Sequence, residues 1–442
     1  MSSPDIISGP APARHSAYNA VVLKSSLAFL ARAAAPAEAT PLQRRNFINV
    51  QIDAIGIGLS AAAATFLPVF LTRLGASNLQ VGLLTAMPSL TGLFFGVAVG
   101  RFLQNQRQIV PWFSRARFLA ITAYAVTGLV PFVAPAEYAV PIILFIWAAV
   151  TLPQITVNVA FSVVMNAVAG PKLRYELLSR RWSILGLTTA VAVALAGQAL
   201  DRIPSPFDYQ VTFLALSAGG LISLVFSSRL QIPDNPPAPP PAGRNWRERL
   251  VNSARAVGRY PDYVAFTAKR FVFLSGIALG LPLFPLYFVR VAHATDAWIG
   301  FISTVQTFVL VVGYVVWSRS AKRRGSRFTL TWTTFGLAAY PALVSLTPDV
   351  RVIAVLAGLA GIFQAGLDLV FFDELMKTVP PDQTAVFVSL AQSLQYLSGV
   401  AAPLLGTALA DQVGLGGALL VSAALRFAGW GLFALTRPRP AA

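Results

Sequence analysis

Twelve apolar stretches, each long enough to cross a bilayer, follow one another along the chain. They fall at about 46–72, 79–102, 111–133, 138–166, 178–200, 209–229, 262–290, 296–319, 327–347, 351–375, 384–410 and 414–436. A hydrocarbon core about 30 Å thick is spanned by roughly 20 helical residues. No water reaches a peptide group there, so each stretch must close its own backbone hydrogen bonds as a helix. The pattern predicts an all-α membrane protein with twelve transmembrane helices. Composition agrees: of 442 residues, 56% are hydrophobic and 12% charged, against about 25% charged in soluble domains.

The formal net charge of +17 would suit a nucleic-acid partner if the cations shared one polar face. Instead they lie between the apolar stretches, which points to a lipid bilayer and away from nucleic acid. One set of alternate loops holds Arg101, Arg107, Arg115 and Arg117, then Lys172, Arg174, Arg180 and Arg181. After these come Arg244, Arg247, Arg249, Arg255 and Arg259, then Arg319, Lys322, Arg323, Arg324 and Arg327. The other set holds only Arg73, Arg202, Arg290 and Arg351. The asymmetry places both termini in the cytoplasm of a multi-pass plasma (bacterial inner) membrane protein. Residues 1–43 read as a cytoplasmic extension, not a signal peptide, because Lys24 interrupts the apolar run from Ala20 to Ala31. Residues 231–260 read as a linker, Pro-rich over QIPDNPPAPPPAG and followed by an interfacial helix around Trp246, Leu250, Val251 and Ala254. Residues 44–230 and 261–442 then form two six-helix bundles.

The two halves repeat. LPVFLTRLGASNLQVG, starting at Leu67, matches FPLYFVRVAHATDAWIG, starting at Phe284, with Pro68 on Pro285, Arg73 on Arg290 and, after one inserted residue, Gly82 on Gly300. Further on, PQITVNVAF and FQAGLDLVF place Gln154 on Gln364, Asn158 on Asp368 and Phe161 on Phe371. The bundles are therefore expected to be pseudo-symmetric.

With its parallel halves, inner linker and basic loops after helices 2 and 8, the chain resembles the major facilitator superfamily over about residues 44–436. That superfamily's loop signature reads roughly G-x-x-x-D-R-x-G-R-R. Here Gly96 and Arg101 match in the first half, and Gly313, Arg319 and Arg323 in the second. The acidic position is lost in both copies, where Gly100 and Trp317 stand, so the signature's gating salt bridge does not carry over. The antiporter signature of helix 5 is also absent from LGLTTAVAVALAGQ. The resemblance implies that helices 1, 4, 7 and 10 line a central cavity, with the substrate near the midplane.

Polar groups inside spans are costly and default to functional candidates. Gln51 and Asp53 lie on helix 1, Gln154 and Asn158 on helix 4, Arg270 on helix 7, and Gln364 and Asp368 on helix 10. The pairs four apart share a helical face, and their amides suit a polyhydroxylated or zwitterionic solute. The repeat places Arg270 opposite Asp53, which predicts an ion pair between halves; alternatively, Lys269 and Arg270 are cations that snorkel to the inner interface. Arg426, midway along helix 12, is expected to turn inward and meet Asp368 or the Asp373–Glu374 pair. Gln306, Gln392 and Gln395 are lesser cavity candidates.

With no Cys and only His15 and His293, no metal site, cofactor or thiol chemistry is expected. There is no GxxxxGK[ST] nucleotide loop, and no catalytic constellation suggests an enzyme. The reading is a monomeric secondary active transporter that moves a small-molecule substrate by alternating access, with protons as candidate coupling ions. The alternative is a facilitator-like protein that delivers a lipophilic molecule or scaffolds a membrane complex without transport.

Overall fold

The computed structural model describes residues 35–36, 38–234, 260–379 and 384–435. The expected interfacial helix and its linker arginines, most of the N-terminal extension, and the side chains of Lys172 and Arg174 lie outside the described residues. The helices are α1 (Pro41–Arg73), α2 (Asn78–Gln104), α3 (Val110–Val133), α4 (Ala136–Gly170), α5 (Glu176–Arg202), α6 (Asp208–Ser227), α7 (Pro261–Arg290), α8 (Asp296–Arg324), α9 (Ser326–Ser345) and α10 (Val350–Thr378), then α11 over 384–413 and α12 over 415–435.

Ten described segments are long and apolar enough to span a membrane. The last, Phe387–Leu435, is 49 residues long and would reach about 74 Å if straight. It folds back at Gly414, whose φ of 74° is open to glycine and strained for other residues. The reversal can be read from contacts. Ser398 meets Ser275 at 2.9 Å, while Ser422 donates to Gly276 O at 2.8 Å, so two residues 24 apart reach neighbouring residues of α7. Gly170, with φ 65°, does the same between α4 and α5, bringing the Phe161 and Trp182 rings to 6.4 Å. α9 packs as the remaining helix although it is shorter and starts with Ser326 and Arg327. The expected helix 7 is not continuous: it breaks at Leu281–Pro282 between Pro261–Gly280 and Leu283–Arg290.

Repeat-related helices pack alike. α1 lies on α5 and α6, where Gly58 sits against Leu185 and Thr188, and Gly56 against Ser223. In the second half α7 lies on α11 and α12, where Gly406 sits against Leu279 and Gly276 against Arg426. Thr91 joins α2 to α4 by a 2.7 Å hydrogen bond to Thr151, and Gly313 packs on Ile362 to join α8 to α10. The halves meet crosswise, α5 on α8 through Gly197 and Gly300, and α2 on α11 through Gly82 and Thr407.

A cavity with a clasped far end

The hydrogen bonds that join the halves cluster at the end of the bundle away from the termini, and they obey the repeat. Arg73, the last residue of α1, donates to Asp296 Oδ1 at 3.0 and 3.1 Å and to Ala294 O at 3.1 Å. Arg290, the last residue of α7, donates to Asn78 Oδ1 at 2.6 Å and to Ala76 O. Asp201, at the end of α5, accepts from the N–H groups of Asp296 and Ala297 at 2.9 and 3.2 Å. This carboxylate therefore caps the first turn of α8 from the opposite half. Asp411, at the end of α11, accepts from Asn78 Nδ2 at 2.7 Å. Each half thus offers an arginine and an aspartate to the helix start of the other, where Ser77 and Thr295 are N-caps. The clasp is unequal, because Asp296 carries charge where Asn78 does not, and Tyr209 adds a 2.8 Å bond to Asp296. The repeat in the sequence pointed to Arg73 and Arg290. Asp201 and Asp411 were missed, since they stand at helix ends, where acidic residues draw no notice.

The expected Asp53–Arg270 pair is not formed. Asp53, 1% exposed, pairs inside its own half with Arg117 of α3. It also accepts from Ser223 Oγ at 2.6 Å and lies 3.6 Å from Arg181 Nη2. The arginines lie over rings, Arg117 4.0 Å from Phe113 and Arg181 4.5 Å from Phe161. The charge pattern of the sequence assigns these two cations to loops, but α3 and α5 carry them into the bundle, where the nearest carboxylate is on α1. Arg270 instead donates to Gln395 Oε1 at 2.9 Å and lies 5.9 Å from the Phe371 ring. Gln51 turns back to Phe47 O at 3.2 Å.

Two cavities flank the middle of the bundle. The first, about 240 Å³, is lined by Gln154, Asn158, Arg117, Tyr124 and Ser60. The second, about 270 Å³, is lined by α7, α8, α9, α10 and α12, with Thr65 and Val69 of α1. Its polar residues are Ser303, Gln306, Tyr340, Gln364 and Arg426 besides Thr65, so the repeat mates Gln154 and Gln364 stand in corresponding cavities. Asp368, one turn below Gln364, is exposed and accepts from Gln364 Nε2 at 2.8 Å and Tyr314 OH at 3.0 Å. Gln392 is exposed on α11.

Arg426 does turn inward, but not to a carboxylate. It is 3% exposed, with Nε donating to Gly276 O at 3.2 Å and Nη1 to Leu337 O at 3.1 Å. The second acceptor has a local cause. Leu337 O would be bonded by the N–H four residues on, and that residue is Pro341, which has none. Gly276 and Gly280 give the side chain room, since a Cβ there would stand 2.7 Å from Arg426 Cγ and 2.9 Å from Nη2. Among the described residues no carboxylate lies within ion-pair distance of Arg426.

The loop-signature residues divide. Gly96 has open space around it, whereas Gly313 packs on the backbone of Ile362. Arg101 and Arg319 are exposed, and Arg319 and Arg323 border a surface hollow with Trp317. Trp317, at the lost acidic position, donates Nε1–H to Ile362 O at 3.0 Å, which ties α8 to α10 without charge.

Comparison with known proteins agrees with this architecture. The family model of the Major Facilitator Superfamily matches residues 270–442. A Deinococcus radiodurans protein whose name assigns it to sugar efflux is 23% identical over 418 residues, covering 89% of this chain and 98% of the relative. Among solved structures, a bacterial homologue of the iron transporter ferroportin in an inward-facing state superposes with TM-score 0.70 at 15% identity, covering 90% of this chain and 99% of that one. A mutant of the nucleoside transporter NupG gives 0.68 at 12% identity, covering 88% and 99%. The chain is a multi-pass membrane protein that shares the fold of these transporters, and its second half matches the Major Facilitator Superfamily model.

Proposed function

We propose that the protein is a secondary active transporter that moves a small hydrophilic solute, of the sugar class, by alternating access. The observation that carries the reading is the pairing of a central region lined by polar residues from both halves with joints gathered at one end. A bundle clasped at its far end gives its central cavities access from the other end. Opening the clasp and closing the opposite end would reverse that access. The sugar class is suggested by the Deinococcus relative and by the amides Gln154, Asn158, Gln306 and Gln364, which donate and accept as hydroxyl-rich solutes require.

The excess of Lys and Arg in alternate loops supports termini on the cytoplasmic side of a cell membrane. The clasp is then the outer gate, and this conformation is open to the inside. Asp368 is the candidate coupling group, because it is a span carboxylate with two neutral hydrogen-bond partners and no ion pair among the described residues. Asp53 is not proposed for that role, because two arginines hold it in a structural cluster.

The test is counterflow of labelled hexoses and pentoses in liposomes holding the purified protein, with and without a pH gradient. Exchange of at least one sugar is expected, with accumulation that follows the gradient and is lost in Asp368→Asn. If no sugar exchanges, the sugar class falls. Accumulation that ignores the gradient removes proton coupling.

A further inference from the structure

We infer that the cavity beside Arg426 is an anion subsite, built to hold the carboxylate of a small acidic solute. The inference deepens the transport reading by giving its cargo a charge, and rests on that reading only in making the bound anion the cargo. Arg426 is the one charged residue lining a cavity of about 270 Å³ whose other polar linings are neutral hydroxyls and amides. Carbonyl groups of Gly276 and Leu337 accept from two of its nitrogens but compensate no charge. Nη2 is left without a partner among the described residues. A buried cation left in this way is strongly unfavourable unless something negative joins it.

The contrast within the same molecule is direct. Arg117 is equally buried beside the other cavity, and the chain supplies Asp53 to it. No carboxylate of the described chain is brought to Arg426. The expected partners, Asp368, Asp373 and Glu374, are taken up by Gln364 and Tyr314 or by Lys377, and Asp411 by Asn78.

The guanidinium fork suits a carboxylate, and one uncompensated unit of charge matches a monoanion better than a phosphate dianion. The cavity lies below the roughly 300–1,000 Å³ of drug-sized sites, so the solute is of monosaccharide size. Phe284 and Tyr340, stacked at 4.9 Å, form an apolar wall for its carbon skeleton, and Gln306 and Gln364 offer amides to its hydroxyls. Lys269 and Arg270, further along α7 toward the terminal end, add positive potential on the approach to the site.

The experiment uses the full chain in detergent and compares glucuronate with glucose, which differ in the carboxylate, by titration calorimetry, with inorganic phosphate as a third probe. Glucuronate is expected to bind at least tenfold more tightly than glucose or phosphate. Arg426→Gln should abolish the preference. Where that variant does not fold, Arg426→Lys keeps the charge without the fork. It should weaken glucuronate at least tenfold more than it weakens glucose. Equal binding of the two sugars, no binding of glucuronate by the wild type, tighter binding of phosphate, or a preference that survives in a folded variant would each overturn the subsite. Flux of neutral sugars without acid preference removes the subsite and leaves transport standing. Tight glucuronate binding with no flux of any sugar does the reverse.

Discussion

Buried arginines set the chemistry of this molecule at the scale of single residues, and they are held in two different ways. Arg117 and Arg181 share one carboxylate, Asp53, so that cluster depends on an atom-for-atom ionic arrangement. Removing one partner of a buried ion pair typically costs about 3–5 kcal/mol. Asp53→Asn is therefore expected to lower stability by that order, read as a clear drop in the thermal transition of the protein in detergent. Replacement of Asp53, Arg117 and Arg181 together by apolar residues of similar size should recover most of the loss, since no uncompensated charge then remains. A single Asp53→Asn variant as stable as wild type would show that the cluster does not hold the half together. These arginines were visible as cations next to apolar stretches, but the sequence could not say whether the neighbouring helix would draw them inward. The partner of Arg426 was hidden for another reason. A backbone carbonyl carries no letter in the sequence, and the only sign of its availability was Pro341, four residues beyond Leu337.

Glycine positions decide how closely two elements approach, and the repeat provides a controlled comparison. Gly96 of α2 and Gly313 of α8 occupy the same place in the loop signature. A Cβ at Gly96 meets nothing within 4 Å, whereas at Gly313 it would stand 2.9 Å from Ala365 Cβ and 3.0 Å from Ile362 Cα. In a helix interior Gly is about 1 kcal/mol less favourable than Ala. Gly96→Ala should therefore raise stability by up to about 1 kcal/mol. Gly313→Ala should lower it, because α8 and α10 must separate to admit the methyl group. Thermal unfolding of the two variants side by side checks this, and shifts of the same sign would contradict the packing. The existence and order of the helices were legible from the apolar periods, because lipid leaves the backbone no alternative. The reversals near Gly170 and Gly414 were legible as gaps in that pattern, but the break in α7 was not, because a short turn inside one apolar stretch hardly changes it.

At the scale of the whole molecule the clasp turns a duplicated sequence into a duplicated lock. Asp201 and Arg73 grip the start of α8, while Asp411 and Arg290 grip the start of α2. Below these bonds the joints are close-packed: a Cβ at Gly82 would lie 3.3 Å from Thr407 Cβ, near the roughly 3.5–4.5 Å that a disulfide needs. The chain has no cysteine of its own, so a pair can be introduced without background. In the double variant Gly82→Cys with Thr407→Cys, oxidation is expected to hold the far end shut and stop solute exchange across liposomes at least tenfold, with recovery on reduction. Each single variant should be insensitive to oxidant. The ionic side of the clasp gives an independent reading. Arg73→Asp alone should weaken the far-end joint, and the swap Arg73→Asp with Asp296→Arg should restore it, both followed by spin-label distances across that end. Exchange that continues while the disulfide is formed would mean that solute does not pass by opening this joint. A swap no better than Arg73→Asp alone would mean that the charge pair is not what keeps it closed.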